Sequence, residues 1–135
     1  MSQNLAKLAE LTSRLRSPNE EVDQLFATSQ NFICIIGSDA QMIRVSASWV
    51  KALGWSADEL CSQPFFHFVH PDDMEKTVTA WKLCTETGKV VHNFVNRYLC
   101  KDGSHRTLLW NTSATISNGT LYGSASDVTG LVLNG

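Results

Sequence analysis

The chain has 135 residues, 43% of them hydrophobic and 18% charged, with a formal net charge of -2. That length supports one hydrophobic core and is short for two complete domains. The near-neutral balance without a basic cluster argues against nucleic acid as a partner. The lack of a long apolar run argues against membrane insertion or a secretory signal, so a cytoplasmic location is expected.

At the N-terminus Leu5, Leu8, Leu11 and Leu15 recur with Ala9 and Thr12 at three- and four-residue steps. They form the apolar stripe of an amphipathic helix. Such a stripe must be covered, either by a sheet of the same chain or by a second copy, and a homodimer through these four leucines is the expectation. Ser17-Pro18-Asn19-Glu20 then predicts a second helix over 18–28: Ser17 can cap, Pro18 suits the first helical position and Glu20 completes a capping box. Val22, Leu25 and Phe26 should face inward. Residues 1–30 are read as a helical segment for dimerisation or capping, 31–130 as the main domain and 131–135 as the start of an exit linker.

From Asn31 the period changes. FICIIG is a short apolar run stopped by Gly37-Ser38-Asp39, and MIRVS follows as the second strand of a hairpin. Helical pieces come next, one over 47–53 closed by Gly54 and one starting at Ser56, where Glu59 completes a second capping box. Pro71 opens the longest predicted helix, 71–87, with Asp72 and Asp73 at its positive end and Gly88 after it. Its apolar residues Met74, Val78, Trp81 and Leu83 keep helical spacing. Three strands follow, at 90–100, 106–116 and 121–128, joined by the turns Lys101-Asp102-Gly103 and Ser117-Asn118-Gly119. In the first of them His92, Phe94, Asn96 and Tyr98 share one face and Val91, Val95 and Leu99 the other, so both sheet faces read as covered.

Few residues suggest chemistry. Cys34, Cys61, Cys84 and Cys100 form no CxxC, and three of them lie in apolar surroundings, which reads as free thiols. His67 and His70 offer one candidate metal pair without a second, so no metal site is expected. Met42 and Met74 read as core. No GxSxG, P-loop or HExxH pattern is present, and the chain is not expected to be an enzyme. Gly123 and Ala125 leave room on one sheet face, either for a ligand or for close packing.

Four signals stand in order: LGWSADEL at 53–60, HPDD at 70–73, KDG at 101–103 and DVT at 127–129. Together they make the stretch from Phe32 to Thr129 resemble a PAS sensor domain. The resemblance implies an α+β fold, a five-stranded antiparallel sheet with helices on one face and an N-terminal amphipathic helix. It also implies a sensory and dimerisation module of a larger bacterial signalling protein such as a histidine kinase or a cyclic-dinucleotide enzyme. Its partners would be a second copy, a downstream output domain and a small-molecule ligand. Strand parity and helix spacing choose the cavity lining: Phe32, Cys34, Ile36, Trp49, Phe65, Phe68, Trp81, Phe94, Asn96, Tyr98, Trp110 and Ala125. By the same resemblance Glu59 and Lys101 form a surface ion pair, and Asp127 and Thr129 fix the exit of the chain, so these four are the candidate coupling residues. The cofactor stays open. Haem would need His67 or His70 to swing into the cavity, because 71–87 holds no histidine. Flavin photochemistry is disfavoured, since Phe65 stands where the adduct-forming cysteine of the light-sensing subgroup would be, while a redox flavin held by Asn96 and Trp110 remains an alternative. A protein-interaction module without ligand is the other.

Overall fold

The structure, a computed structural model, describes residues 20–113 and 119–131. The leucine stripe at Leu5, Leu8, Leu11 and Leu15 lies outside the described residues, as do the first two positions of the second predicted helix. The elements are α1 (Glu20–Thr28), β1 (Phe32–Ile36), β2 (Met42–Val45), α2 (Ala47–Leu53), α3 (Ala57–Cys61), two short 3₁₀ turns (Phe65–Phe68 and Pro71–Asp73), α4 (Met74–Thr87), β3 (Phe94–Leu99), β4 (His105–Thr112) and β5 (Leu121–Asp127). The strands form one antiparallel sheet in the order β2-β1-β5-β4-β3, with the last strand in the middle. No described helix is long and apolar enough to cross a membrane.

Local chemistry explains most boundaries. Gly54 takes a left-handed φ of 86° and donates its N–H to the Val50 carbonyl, closing α2. Ser56 and Glu59 form the reciprocal capping box of α3, with Glu59 N–H to Ser56 Oγ at 3.0 Å and Ser56 N–H to Glu59 Oε1 at 2.9 Å. Ser46 is buried at the hairpin end, where its hydroxyl accepts from Ile33 N–H at 2.9 Å and so satisfies a backbone donor that β2 does not reach.

Three expectations need correction. The strand predicted over 90–100 begins at Phe94, because Asn93 adopts φ 54° and breaks the extended run; asparagine tolerates that region better than most residues. Val91 still exchanges hydrogen bonds with Thr112, through its carbonyl and its N–H, so the chain stays beside β4 as an irregular approach. The helix predicted over 71–87 opens as a 3₁₀ turn and becomes α-helical at Met74. Its inward face is also rotated from the predicted one: Thr77 and Cys84 are the buried positions, Trp81 is half-buried between them, and Leu83 is 42% exposed. Strand β4 runs over His105–Thr112, and positions 114–116 of the predicted strand lie outside the described residues; β5 ends at Asp127, one residue before the predicted end.

The register places Phe32, Cys34 and Ile36 of β1, Gly123 and Ala125 of β5, Trp110 of β4, and Phe94, Asn96 and Tyr98 of β3 on the helix side. The core is built there, around Trp49, Leu53 and Leu60 from the helical middle. On the opposite face Ile33, Ile35, Tyr122 and Ser124 are buried as well, so the central strand pair is covered on both sides. Both sheet edges are occupied: Pro64 bridges to Gln41 beside β2, and Val69 bridges to Tyr98 of β3.

Candidate functional site

Between α4 and the sheet lies a cavity of about 50 Å³. Thr77, Ala80, Trp81 and Cys84 line it from the helix, one face at three- and four-residue spacing. Ile36, Phe94, Asn96, Tyr98, Trp110, Thr112, Leu121 and Gly123 line it from the sheet, and Phe65 and Val91 complete the lining. Trp81 meets Phe65 edge-on at 5.2 Å and forms one wall. Trp110 lies flat against the missing side chain of Gly123; a Cβ there would stand 3.0 Å from its ring and 3.2 Å from Cys34 Sγ.

One chain of hydrogen bonds crosses the apolar lining. Trp110 Nε1–H donates to Asn96 Oδ1 at 2.9 Å, Asn96 Nδ2–H donates to Thr77 Oγ1 at 3.3 Å, and the Thr77 hydroxyl donates to the Asp73 carbonyl at 2.7 Å. The indole N–H can only donate, which fixes the orientation of the Asn96 amide. At the end of that chain the Asp73 carboxylate holds β3: Arg97 reaches it through Nε (3.0 Å), through a terminal nitrogen (2.9 Å) and through its backbone N–H (2.8 Å). The side-chain hydrogen bonds from Arg97 hold the Asp73 carboxyl below its usual value against the opposing effect of burial. His70 caps the same turn, its Nδ1 accepting from Asp72 N–H at 3.1 Å. The HPDD segment thus docks the start of α4 onto the sheet edge.

Of the twelve side chains expected at the cavity, Ile36, Phe65, Trp81, Phe94, Asn96, Tyr98 and Trp110 line it. The other five pack elsewhere in the core. Trp49 sits behind Trp110 and Tyr98, at 5.7 and 5.2 Å, with its indole N–H on the Ile33 carbonyl. Phe32 packs edge-on to Trp49, Phe68 to Trp55, Cys34 lies beside Gly123, and Ala125 is opposite Trp110 in the register. Parity finds the correct sheet face but not the position along it. Gly123, read from the sequence as leaving room on the sheet face, does line it, whereas Thr77, Ala80, Cys84, Val91, Thr112 and Leu121 were missed; the helical ones are small or polar, which hid them from an apolar-spacing search.

The coupling candidates fall into two surface clusters. Lys101 Nζ lies 3.2 Å from the Glu59 carboxylate, and the Lys101 backbone N–H donates to the Leu53 carbonyl, so the KDG turn is tied to α2 and α3. The Ser56 backbone N–H, then Lys101, lower the Glu59 carboxyl. At the exit, Asp127 accepts from the backbone N–H and hydroxyl of Thr129 and pairs with Arg106 at 2.7 Å. Thr129 Oγ1 in turn accepts from Thr107 N–H at 2.8 Å. Burial raises the Asp127 carboxyl, but the Thr129 and Arg106 hydrogen bonds outweigh it and the net direction is down.

Haem and flavin do not fit this cavity. Its volume is far below the roughly 300–1,000 Å³ of sites for such molecules. No histidine lies among its lining residues, His67 is exposed, and His70 is engaged as a cap. Asn96 and Trp110, which would have held a flavin, bond to each other. Among the described residues no three His, Cys, Asp or Glu side chains converge on one point. All four cysteines are free thiols; burial pushes Cys34 up to about 12 and also raises Cys84.

A five-stranded antiparallel sheet with its last strand central, and a helical face carrying a small cavity under α4, defines the domain as α+β. The model of the PAS fold family matches residues 42–124, and the chain belongs to that family. No curated protein matches the sequence. Among solved structures the chain is similar to a domain of the sensory box sensor histidine kinase/response regulator from Geobacter sulfurreducens, at 15% identity and a TM-score of 0.67 over 83% of this chain and 100% of that one. It is similar to the Rhodobacter sphaeroides LOV protein at 9% identity and a TM-score of 0.69, over 83% of this chain and 67% of that one. It is also similar to a variant PAS-B domain of Drosophila melanogaster Cycle with bound glycerol, at 18% identity and a TM-score of 0.65 over 71% and 98%.

Proposed function

We propose that the chain is a non-catalytic sensory input module that binds a small molecule in the cavity under α4 and relays occupancy to an output domain through β4 and the exit clamp. The observation that carries this reading is the buried Trp110–Asn96–Thr77 hydrogen-bond chain in an otherwise apolar cavity wall. Buried polar groups are costly unless hydrogen-bonded, and a few converging polar groups in an otherwise apolar pocket are the usual composition of a ligand site. The glycerol held by the Drosophila Cycle domain supports the same reading by analogy of fold. Strand β4 provides the route. It carries Trp110 and Thr112 at the cavity and Arg106 and Thr107 at the exit, where Thr107 exchanges hydrogen bonds with Val128 and Thr129. A guest that shifts Trp110 therefore loads the same rigid strand that clamps the departing chain.

The test is amide hydrogen exchange of the chain with and without xenon under pressure. Slower exchange at the Trp110 indole together with altered exchange at Thr107 and Val128 is expected. Xenon binding that leaves the Thr107 and Val128 amides unchanged would separate the cavity from the exit and refute the relay.

A further inference from the structure

We propose that this cavity, taken as the ligand site of the preceding section, selects an uncharged guest of roughly three to five heavy atoms that carries one hydrogen-bonding group, and that Asn96 reads that group. Size comes from the volume: about 50 Å³ admits roughly three to five water-sized centres at 10–15 Å³ each. A short-chain alcohol or a molecule of similar size fits without moving the walls.

The requirement for an uncharged guest comes from the lining. It contains no Asp, Glu, Lys, Arg or His side chain. The titratable groups in or beside it, Cys84, Tyr98 and Cys34, are all pushed up by burial and stay protonated at neutral pH. The Asp73 carboxylate is committed to Arg97. A charged guest would give up part of its hydration shell and meet no charged side chain in the lining, Lys76 lying outside it over the Phe94 ring, a cost that a site of this size does not offset.

The polar requirement comes from the hydrogen-bond capacity of Asn96 and the groups around it, with the Tyr98 hydroxyl a second polar group in the lining. The Trp110 N–H is used by Asn96. Thr77 accepts from Asn96 and donates to Asp73, and Thr112 Oγ1 accepts from Val91 N–H with Cys84 Sγ at 3.7 Å. Asn96, only 2% exposed, makes two side-chain hydrogen bonds, while its amide offers two donors and two acceptor positions. It keeps one donor and one acceptor in reserve, the complement of a hydroxyl. A guest hydroxyl bound there shares Asn96 Oδ1 with the indole N–H, which gives the guest a means of shifting Trp110.

The experiment is an NMR titration of the ¹⁵N-labelled chain, following the Asn96 side-chain amide and the Trp110 indole N–H. The probes are 1-propanol, propionate and xenon. Saturable shifts of both resonances with 1-propanol are expected, with none from propionate, and with xenon binding that leaves the Asn96 amide in place. Asn96→Leu should weaken 1-propanol at least about tenfold, a larger loss than it causes for xenon. The comparison of 1-propanol with propionate on the unaltered chain stands even where that variant folds poorly. Propionate binding as tightly as 1-propanol, or xenon binding without any response of Asn96 to 1-propanol, would overturn the proposed selection. Failure of xenon and 1-propanol alike would overturn the ligand-site reading itself.

Discussion

Replacing Asp73 with alanine removes the anchor that holds the start of α4 against β3. Three charge-assisted hydrogen bonds are lost at once, at 2.8, 3.0 and 2.9 Å. A fully buried pair broken on one side costs about 3–5 kcal/mol and an exposed one about 0–1. Here the Asp73 side chain is 8% exposed and that of Arg97 is 31% exposed, so the guanidinium is partly rehydrated while its backbone N–H loses a partner. The expected loss is therefore intermediate, about 2 kcal/mol, read as a lowered midpoint in urea with the slope unchanged. The pH dependence follows from the same contact. The folded Asp73 carboxyl lies below its ordinary value of 3.8, so its contribution to stability is complete above that value and is lost as the pH falls through the lower folded value. The variant should show a flatter stability curve in that acid window and a parallel one above it. A loss under about 0.5 kcal/mol, or an unchanged acid slope, would show that the ion pair does not hold the helix.

Trp81→Ala should cost about 2 kcal/mol, below the 3–5 of a fully packed aromatic, because Trp81 is half-buried and borders the cavity; a loss above about 4 kcal/mol in denaturant would mean that no open volume lies beside it. Gly123→Ala places a Cβ 3.0 Å from the Trp110 ring and should cost about 1–3 kcal/mol while shifting the Trp110 indole resonance; an unshifted resonance would refute the contact. Asp127→Ala should lower stability by only about 1 kcal/mol yet speed exchange of the Thr129 and Thr107 amides, and protection left intact there would remove the exit clamp from the account.

The sequence carried the order of elements because local signals set their ends. The Ser56–Glu59 box, Gly54 and the KDG turn all act within a few residues, and each is found where its chemistry places it. Strand parity likewise selected the correct face of β1, β3 and β4. The cavity was less legible because it depends on which turn of α4 meets which rung of the sheet. That docking is set by Asp73 and Arg97, 24 residues apart, and no periodicity links them. Read alone, Asp73 looked like a charge favouring a helix N-terminus. Thr77 and Cys84 were missed for a related reason: an apolar stripe marks packing, whereas a cavity needs small side chains and a satisfied polar group. Trp49 erred in the opposite direction, since its burial was foreseen but Trp110 and Tyr98 stand between it and the open volume.

The central claim is that the space under α4 is a binding site and not a packing imperfection. A crystal of the chain pressurised with xenon tests it most directly. The account predicts one well-occupied xenon position in contact with Cys84, Phe94 and Trp110, and its loss when Ala80→Leu fills the space. Crystals that take up no xenon there, or whose xenon site survives that substitution, would contradict it.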